Sequence, residues 1–181
     1  MRRYVKGAVV AAVASVCAAC GTHESAPVAT PIGRGPAFLP AAPDPPRCAP
    51  GRLPGRFRVH VEIFARRRAV VLPAGIGVER PRRLVLGRVV DARCRAAVRT
   101  LDPTGVVEFD SHATFRDVFA AWRMPLSPTR LLSFRGRVSA YVDGRRRRGD
   151  PRSIELRDHG EILLEVGGYV PPHRSYLFPP R

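Results

Sequence analysis

The sequence predicts an α+β domain: a mixed β-sheet crossed by one capped amphipathic helix, β-grasp-like in its economical form, with a β-sandwich using the helix as a crossover as the alternative. Three observations predict it. Short runs alternate apolar and polar residues, the two-residue period of half-buried strands. One run, Phe115, Val118, Phe119 and Trp122, instead has the three-and-four spacing of a helix face. The order along the chain is strands, that helix, then strands, so the helix's aromatic stripe is core that must be buried across a sheet drawn from both sides of it.

Each element follows from local chemistry. Phe57-Arg58-Val59-His60-Val61-Glu62-Ile63-Phe64 alternates strictly, with Phe57, Val59, Val61 and Ile63 on one face and Arg58, His60 and Glu62 on the other. Arg66, Arg67 and Arg68 read as an exposed hairpin turn into a strand at 69–72, and further strands are expected at 83–90, 96–101 and 106–110. Asp102-Pro103-Thr104-Gly105 is a turn, because Pro fixes φ and Gly admits positive φ. Thr114 followed by Asp117 gives a capping-box-like start to the helix, and Met124-Pro125 supplies its stop. Strands at 138–142, an Asp143-Gly144 hairpin signal, a short strand around Ile154 and Leu156, and a last strand at 161–166 complete the domain.

Upstream of the domain the composition changes twice. From Gly21 to Pro50 there are eight prolines with almost no periodic apolar pattern, which describes a tether extending up to about 3.1 Å per residue. Before it, Arg2, Arg3 and Lys6 precede an unbroken small or apolar run from Gly7 to Ala19, and Ala18-Ala19-Cys20-Gly21 places a thiol at a small-residue cleavage site. This segment resembles a bacterial lipoprotein signal, with Cys17 where that class usually has Leu. It falls short of the roughly 20 residues a spanning helix needs. The organisation implied is a signal at 1–19, a lipidated Cys20 and tether at 20–50, and one domain at 51–181, on the extracytoplasmic side of a cell membrane.

Loss of the signal's three basic residues would lower the formal charge from +16 to +13. Such an excess points to an anionic partner, such as lipid head groups or wall polymers, reached through Arg66, Arg67 and Arg68, through Arg80, Arg82 and Arg83, and through Arg145, Arg146, Arg147 and Arg148, all expected on turns or loops. The opposing explanation is codon usage: Lys6 is the only lysine, and Asn and Gln are absent. Nucleic acid is not an expected partner, since neither a recognised fold motif nor a stacking platform stands out.

Of the four cysteines, Cys48 and Cys94 remain in the exported part, and two cysteines in an oxidising compartment usually pair. Metal thiolates are the lesser reading, because CxxC spacing is missing.

Several segments in order are similar to an uncharacterised family of secreted or membrane-anchored bacterial domains: His60 to Phe64, Leu72-Pro73-Ala74-Gly75-Ile76-Gly77, Cys94 through Glu108, Thr114 to Trp122, Asp158-His159-Gly160-Glu161-Ile162 onward, and Ser175-Tyr176-Leu177-Phe178-Pro179. The family's distinctive motifs are a His-x-His pair in the first strand and a Cys-x3-Leu-His-Thr-His-Asp-x-[Ser/Thr]-Gly run followed by a further His. The resemblance implies a cluster of imidazoles suited to copper, zinc or iron. Here those five positions hold Arg58, His60, Arg99, Leu101 and Glu108, so that cluster is degenerate, and neither tight stoichiometric metal binding by residues 51–181 nor any other cofactor is expected.

Common enzyme signatures are missing. His60 beside Glu62 has the makings of a general base, but without a nucleophile nearby in sequence it is expected to be an exposed surface histidine. His112 and His159 are expected in solvated loops. Ser111, Ser133, Ser139 and Ser153 lack a G-x-S-x-G setting, and Gly75-Ile76-Gly77 runs on without a third glycine. The expectation is a non-catalytic, lipid-anchored binding or scaffolding domain with an envelope protein as a further possible partner; the alternative is a metal-handling protein or metalloenzyme.

Overall fold

The computed structural model describes residues 44–180. The signal, Cys20 and the tether to residue 43 lie outside the described residues. The first strand, β1 (Phe57–Ala65), turns through Arg66 and Arg67 into the two-residue β2 (Arg68–Ala69). Both arginines have positive φ, 52° and 63°, as a tight mirror-image hairpin requires. Then come β3 (Arg82–Val85), β4 (Arg88–Ala92), β5 (Val98–Arg99) and β6 (Val106–Phe109). The helix α1 (Phe115–Trp122) leads to β7 (Leu126–Ser127), β8 (Arg130–Leu131), β9 (Phe134–Arg135), β10 (Val138–Val142), β11 (Arg145–Arg147) and β12 (Glu161–Val166).

The main sheet has the order β11-β10-β12-β1-β6-β5, with β2 also paired to β1. Only β1 and β12 run parallel; the other pairings in this sheet are antiparallel. The first and last strands therefore lie side by side at the centre, with His60 opposite Glu161. Two small antiparallel sheets, β3-β4 and β7-β8-β9, stand apart from it.

One face of β1 and β12 is apolar. Val59, Val61, Ile63, Ile162 and Leu164 join Phe115, Val118, Phe119 and Trp122 of α1 in one core cluster, with Phe115 and Trp122 at 0% exposure. Asp117 closes the helix start by accepting from the Thr114 N–H at 2.7 Å and its hydroxyl at 3.0 Å. Arg123 ends the helix in the left-handed region, φ 54°. The mixed sheet with one helix is the α+β class the patterning predicts.

Several expected elements differ. The run at 83–90 is a hairpin rather than one strand, because Leu86 and Gly87 have φ of 48° and 79° and reverse the chain. The strand at 96–101 shortens to Val98–Arg99, and that at 69–72 to Arg68–Ala69. Around Ile154 and Leu156 there is a single bridge between Thr114 and Glu155, with both flanking apolar residues buried. The arginines at 145–147 form the edge strand β11 rather than a loop.

Cys48 and Cys94 stand at disulfide distance, Cα to Cα 5.5 Å. The Ala49–Arg95 bridge and the Asp44 carboxylate, which accepts from the Arg80 N–H at 2.9 Å, fasten the same stretch. The chain thus enters the domain at the base of the β3-β4 hairpin. Among the described residues no helix is long and apolar enough to cross a membrane.

Candidate functional site

The second face of the central strands is polar in sequence yet buried in the structure. Arg58, His60 and Glu62 of β1 and Glu161 and Glu165 of β12 project from it, and Glu161 and Glu165 are 1% and 5% exposed. The cover is the irregular C-terminal segment, which runs back over the sheet antiparallel to β1. Val170 packs on Phe64 and Leu163. His173 Nδ1 lies 3.0 Å from both Glu62 oxygens, the Tyr176 ring stacks on His60 at 3.7 Å and 8°, and Phe178 receives the Arg58 guanidinium. The Pro179 carbonyl accepts from Arg58 Nη1 at 2.7 Å.

His60 is therefore not the exposed residue that strand alternation implies; it is 8% exposed. Alternation assigns a side chain to a face and carries nothing about what later lies over that face. The ring is held at both nitrogens. Nε2 points at the Thr104 carbonyl, 3.1 Å, which can only accept, so Nε2 carries a hydrogen. Nδ1 faces the Glu161 carboxylate at 2.8 and 3.0 Å. Burial pushes the Glu161 carboxyl above the ordinary range, the His60 hydrogen bond and charge oppose this, and the nearby Glu62 adds to it. The Asp102-to-Gly105 turn is docked by the Val61 N–H donating to the Gly105 carbonyl at 2.9 Å, and a Cβ on Gly105 would stand 2.9 Å from His60 Nε2 and 2.7 Å from the Val61 carbonyl.

The other positions aligned with the family's imidazoles have structural partners. Arg99 is wholly buried and forks onto Asp110 at 2.9 and 3.0 Å while also donating to the Leu53, Ala96 and Ala97 carbonyls. Leu101 is core, packed with Val78 and Val89. Glu108 accepts from the Gly55 N–H and lies 3.8 Å from Arg88, which also pairs with Asp102. Arg58, Leu101 and Glu108 line a cleft of about 380 Å³ roofed by Pro179 and Pro180. Cationic and anionic groups both line it, and among the described residues Arg58 Nε has no hydrogen-bond partner.

The three arginine clusters do not merge. Arg66, Arg67 and Arg68 lie at the end of β1, whereas Arg145, Arg146 and Arg147 lie on β11, three strand spacings or about 14 Å away across the sheet. Arg80 is paired with Asp44, and Arg82 folds back onto the Gly75 and Val78 carbonyls, so of that third group Arg83 faces solvent. His112 and His159 are exposed, as expected.

In place of the strand expected at 83–90 the surface carries an apolar hairpin. The β3-β4 hairpin exposes Leu84, Val85, Leu86 and Val90 at 49%, 46%, 103% and 38%. Leu86 is at the tip with positive φ, a conformation that costs an L residue with a branched apolar chain roughly 1–2 kcal/mol. Gly87 after an apolar run was the available signal for this turn. Neither a known protein family, nor a curated protein, nor a solved structure matches this chain.

Proposed function

We propose that this chain is a lipid-anchored envelope protein, held by a diacylglyceryl group on Cys20, whose β-grasp-like domain docks without catalysis on an anionic membrane surface through the β3-β4 hairpin. The β-grasp reading rests on the parallel pairing of first and last strands at the sheet centre with the helix across one face. The docking reading rests on one observation above others: a fully exposed leucine, Leu86, held in an unfavourable backbone conformation at the tip of an apolar hairpin. With Leu84, Val85 and Val90 exposed on the same hairpin, it belongs to an apolar patch of the kind that marks an interaction site.

Position and charge support the same reading. The tether reaches the domain at the hairpin base, where Cys48 adjoins Cys94 and Asp44 pairs with Arg80. Arg83 flanks the apolar tip and faces solvent, placed to meet phosphate as the leucine enters the interface, whereas Arg88 on the other strand is held by Asp102. The exposed Arg66, Arg67 and Arg68 and the β11 arginines add a diffuse positive field. A catalytic role has less support, because the Tyr176 ring covers His60.

The test is sedimentation of the mature Cys20→Ser chain with vesicles containing phosphatidylglycerol. Binding at low salt should fall steeply toward physiological salt, where the Debye length is about 8 Å, and should be lost in Leu86→Asn combined with Arg83→Ser. Failure to bind such vesicles at low salt would redirect the hairpin to a wall polymer or an envelope protein. Separately, Cys20→Ala should leave the membrane fraction; unchanged partition and mass would remove the anchor.

A further inference from the structure

We propose that His60, Glu62 and Glu161, closed by His173 from the C-terminal segment, form a binding site for a single divalent transition-metal ion of the zinc class. One ligand atom from each of the first three residues lies within 4.8 Å of the others. Zinc with nitrogen and oxygen ligands at about 2.0–2.2 Å sets tetrahedral ligand atoms roughly 3.4 Å apart, so a contraction of up to about 1.4 Å brings these three into place. His173 is the fourth donor: its Nδ1 is 3.0 Å from the Glu62 carboxylate but outside that 4.8 Å group, so it moves inward as the ion binds. Two imidazoles and two carboxylates are a donor set for zinc and its first-row neighbours, and hold no thiolate.

Features beyond the cluster itself point to an ion. The Thr104 carbonyl takes the Nε2 hydrogen of His60, which fixes the tautomer whose Nδ1 lone pair faces the carboxylates. A histidine ligand is commonly oriented this way by a backbone carbonyl on its far nitrogen. Glu161 is 1% exposed with the Glu62 carboxylate close to it, and a buried cation would offset the juxtaposition of two carboxylates. A crevice of about 160 Å³ lined by His60, Glu62, Thr104 and Gly105 adjoins the cluster. This site is not the imidazole cluster implied by the family resemblance, of whose positions it uses only His60. The other group of possible ligands, Cys48, Glu79 and Cys94, has its sulfurs at disulfide distance and so offers no thiolates.

Binding requires the proton shared by His60 and Glu161 to leave, so affinity should rise with pH and binding should release protons. It should also staple the C-terminal segment to the sheet. The experiment is calorimetric titration of the full mature chain in detergent, stripped of metal, with Zn²⁺, alongside Co²⁺ titration followed by visible absorption. The expected result is one equivalent at a dissociation constant of about 1 μM or tighter, tetrahedral Co²⁺ bands, and a raised melting temperature. Glu161→Gln should abolish binding, and His173→Gln should weaken it by about tenfold or more, while His112→Gln should leave it unchanged. His173 is on the surface-lying segment, so its variant keeps the test decisive if Glu161→Gln fails to fold. No uptake by the wild type, or uptake unchanged by His173→Gln, would overturn the proposal and leave the four residues as ion pairs alone. Vesicle binding is read independently, so the two proposals fail separately.

Discussion

Arg99 and Asp110 meet fork to fork at the β5-β6 edge, Nη1 and Nη2 reaching the two carboxylate oxygens at 3.0 and 2.9 Å, with Arg99 wholly buried and Asp110 keeping one wet side. Removing one member of such a pair strands a buried charge, which usually costs about 3–5 kcal/mol. Asp110→Ala should accordingly lower the unfolding free energy by about 3 kcal/mol in urea titration. Arg99→Met should cost less, because it leaves no buried cation. Equal small losses in both would mean that the fork carries little.

The same pair gives the domain an acid limit. Burial alone would raise the Asp110 carboxyl, but the Arg99 hydrogen bonds and the Arg99 and Arg95 charges outweigh it and hold the group below its ordinary value. Its folded-state value is depressed, so its contribution is present above the unfolded value of about 3.9 and disappears as pH falls through the lower folded one. The stability gap between wild type and Asp110→Asn should therefore close below about pH 4. Glu161 has the opposite sign: its raised value means that its contribution is lost as pH rises above about 4.3 toward the folded value.

Leu86→Asn separates docking from folding. Asn tolerates positive φ better than Leu, so the variant should be as stable as the wild type or more stable by up to about 1 kcal/mol. Vesicle binding should fall in the same variant. A loss of stability would mean that Leu86 packs against something in the fold, contrary to its full exposure.

Peptide mapping under non-reducing conditions should recover Cys48 joined to Cys94, which are 46 positions apart. Cys94→Ala should then lower stability by about 2–5 kcal/mol, the chain-entropy model giving about 4 for such a loop. Two free thiols in the exported protein would refute this.

Tyr176→Ala removes the ring stacked on His60 and should free the C-terminal cover. The expected cost is about 1–2 kcal/mol from the lost stacking and apolar contact, with faster amide exchange in the 169–179 segment and little change in α1. Uniform acceleration across the domain would show instead that the cover and core unfold together.

Much of the framework was legible in the sequence because its signals are local. Alternation placed β1, strand-like runs beside turn signals placed β10 and β12, and the Thr114 and Asp117 pair marked the start of α1. The two-residue strands β7, β8 and β9 were missed because two residues have no period. The hairpin at 86–87 was missed because Leu is a poor turn residue, so the run looked continuous.

By itself the sequence determined which residues form strands and helix, which side chains share a face, and where tight turns bend, since these depend on φ/ψ preference and spacing within a few residues. Only the tertiary structure decided that the polar face of β1 is covered. His60 and Glu161 meet across 101 positions, and His173 and Tyr176 return over the same strand from the chain's far end. Such contacts require the parallel pairing of first and last strands, whose energy comes from burial of both sheet faces, and no local period in the sequence records which distant segment supplies the second cover.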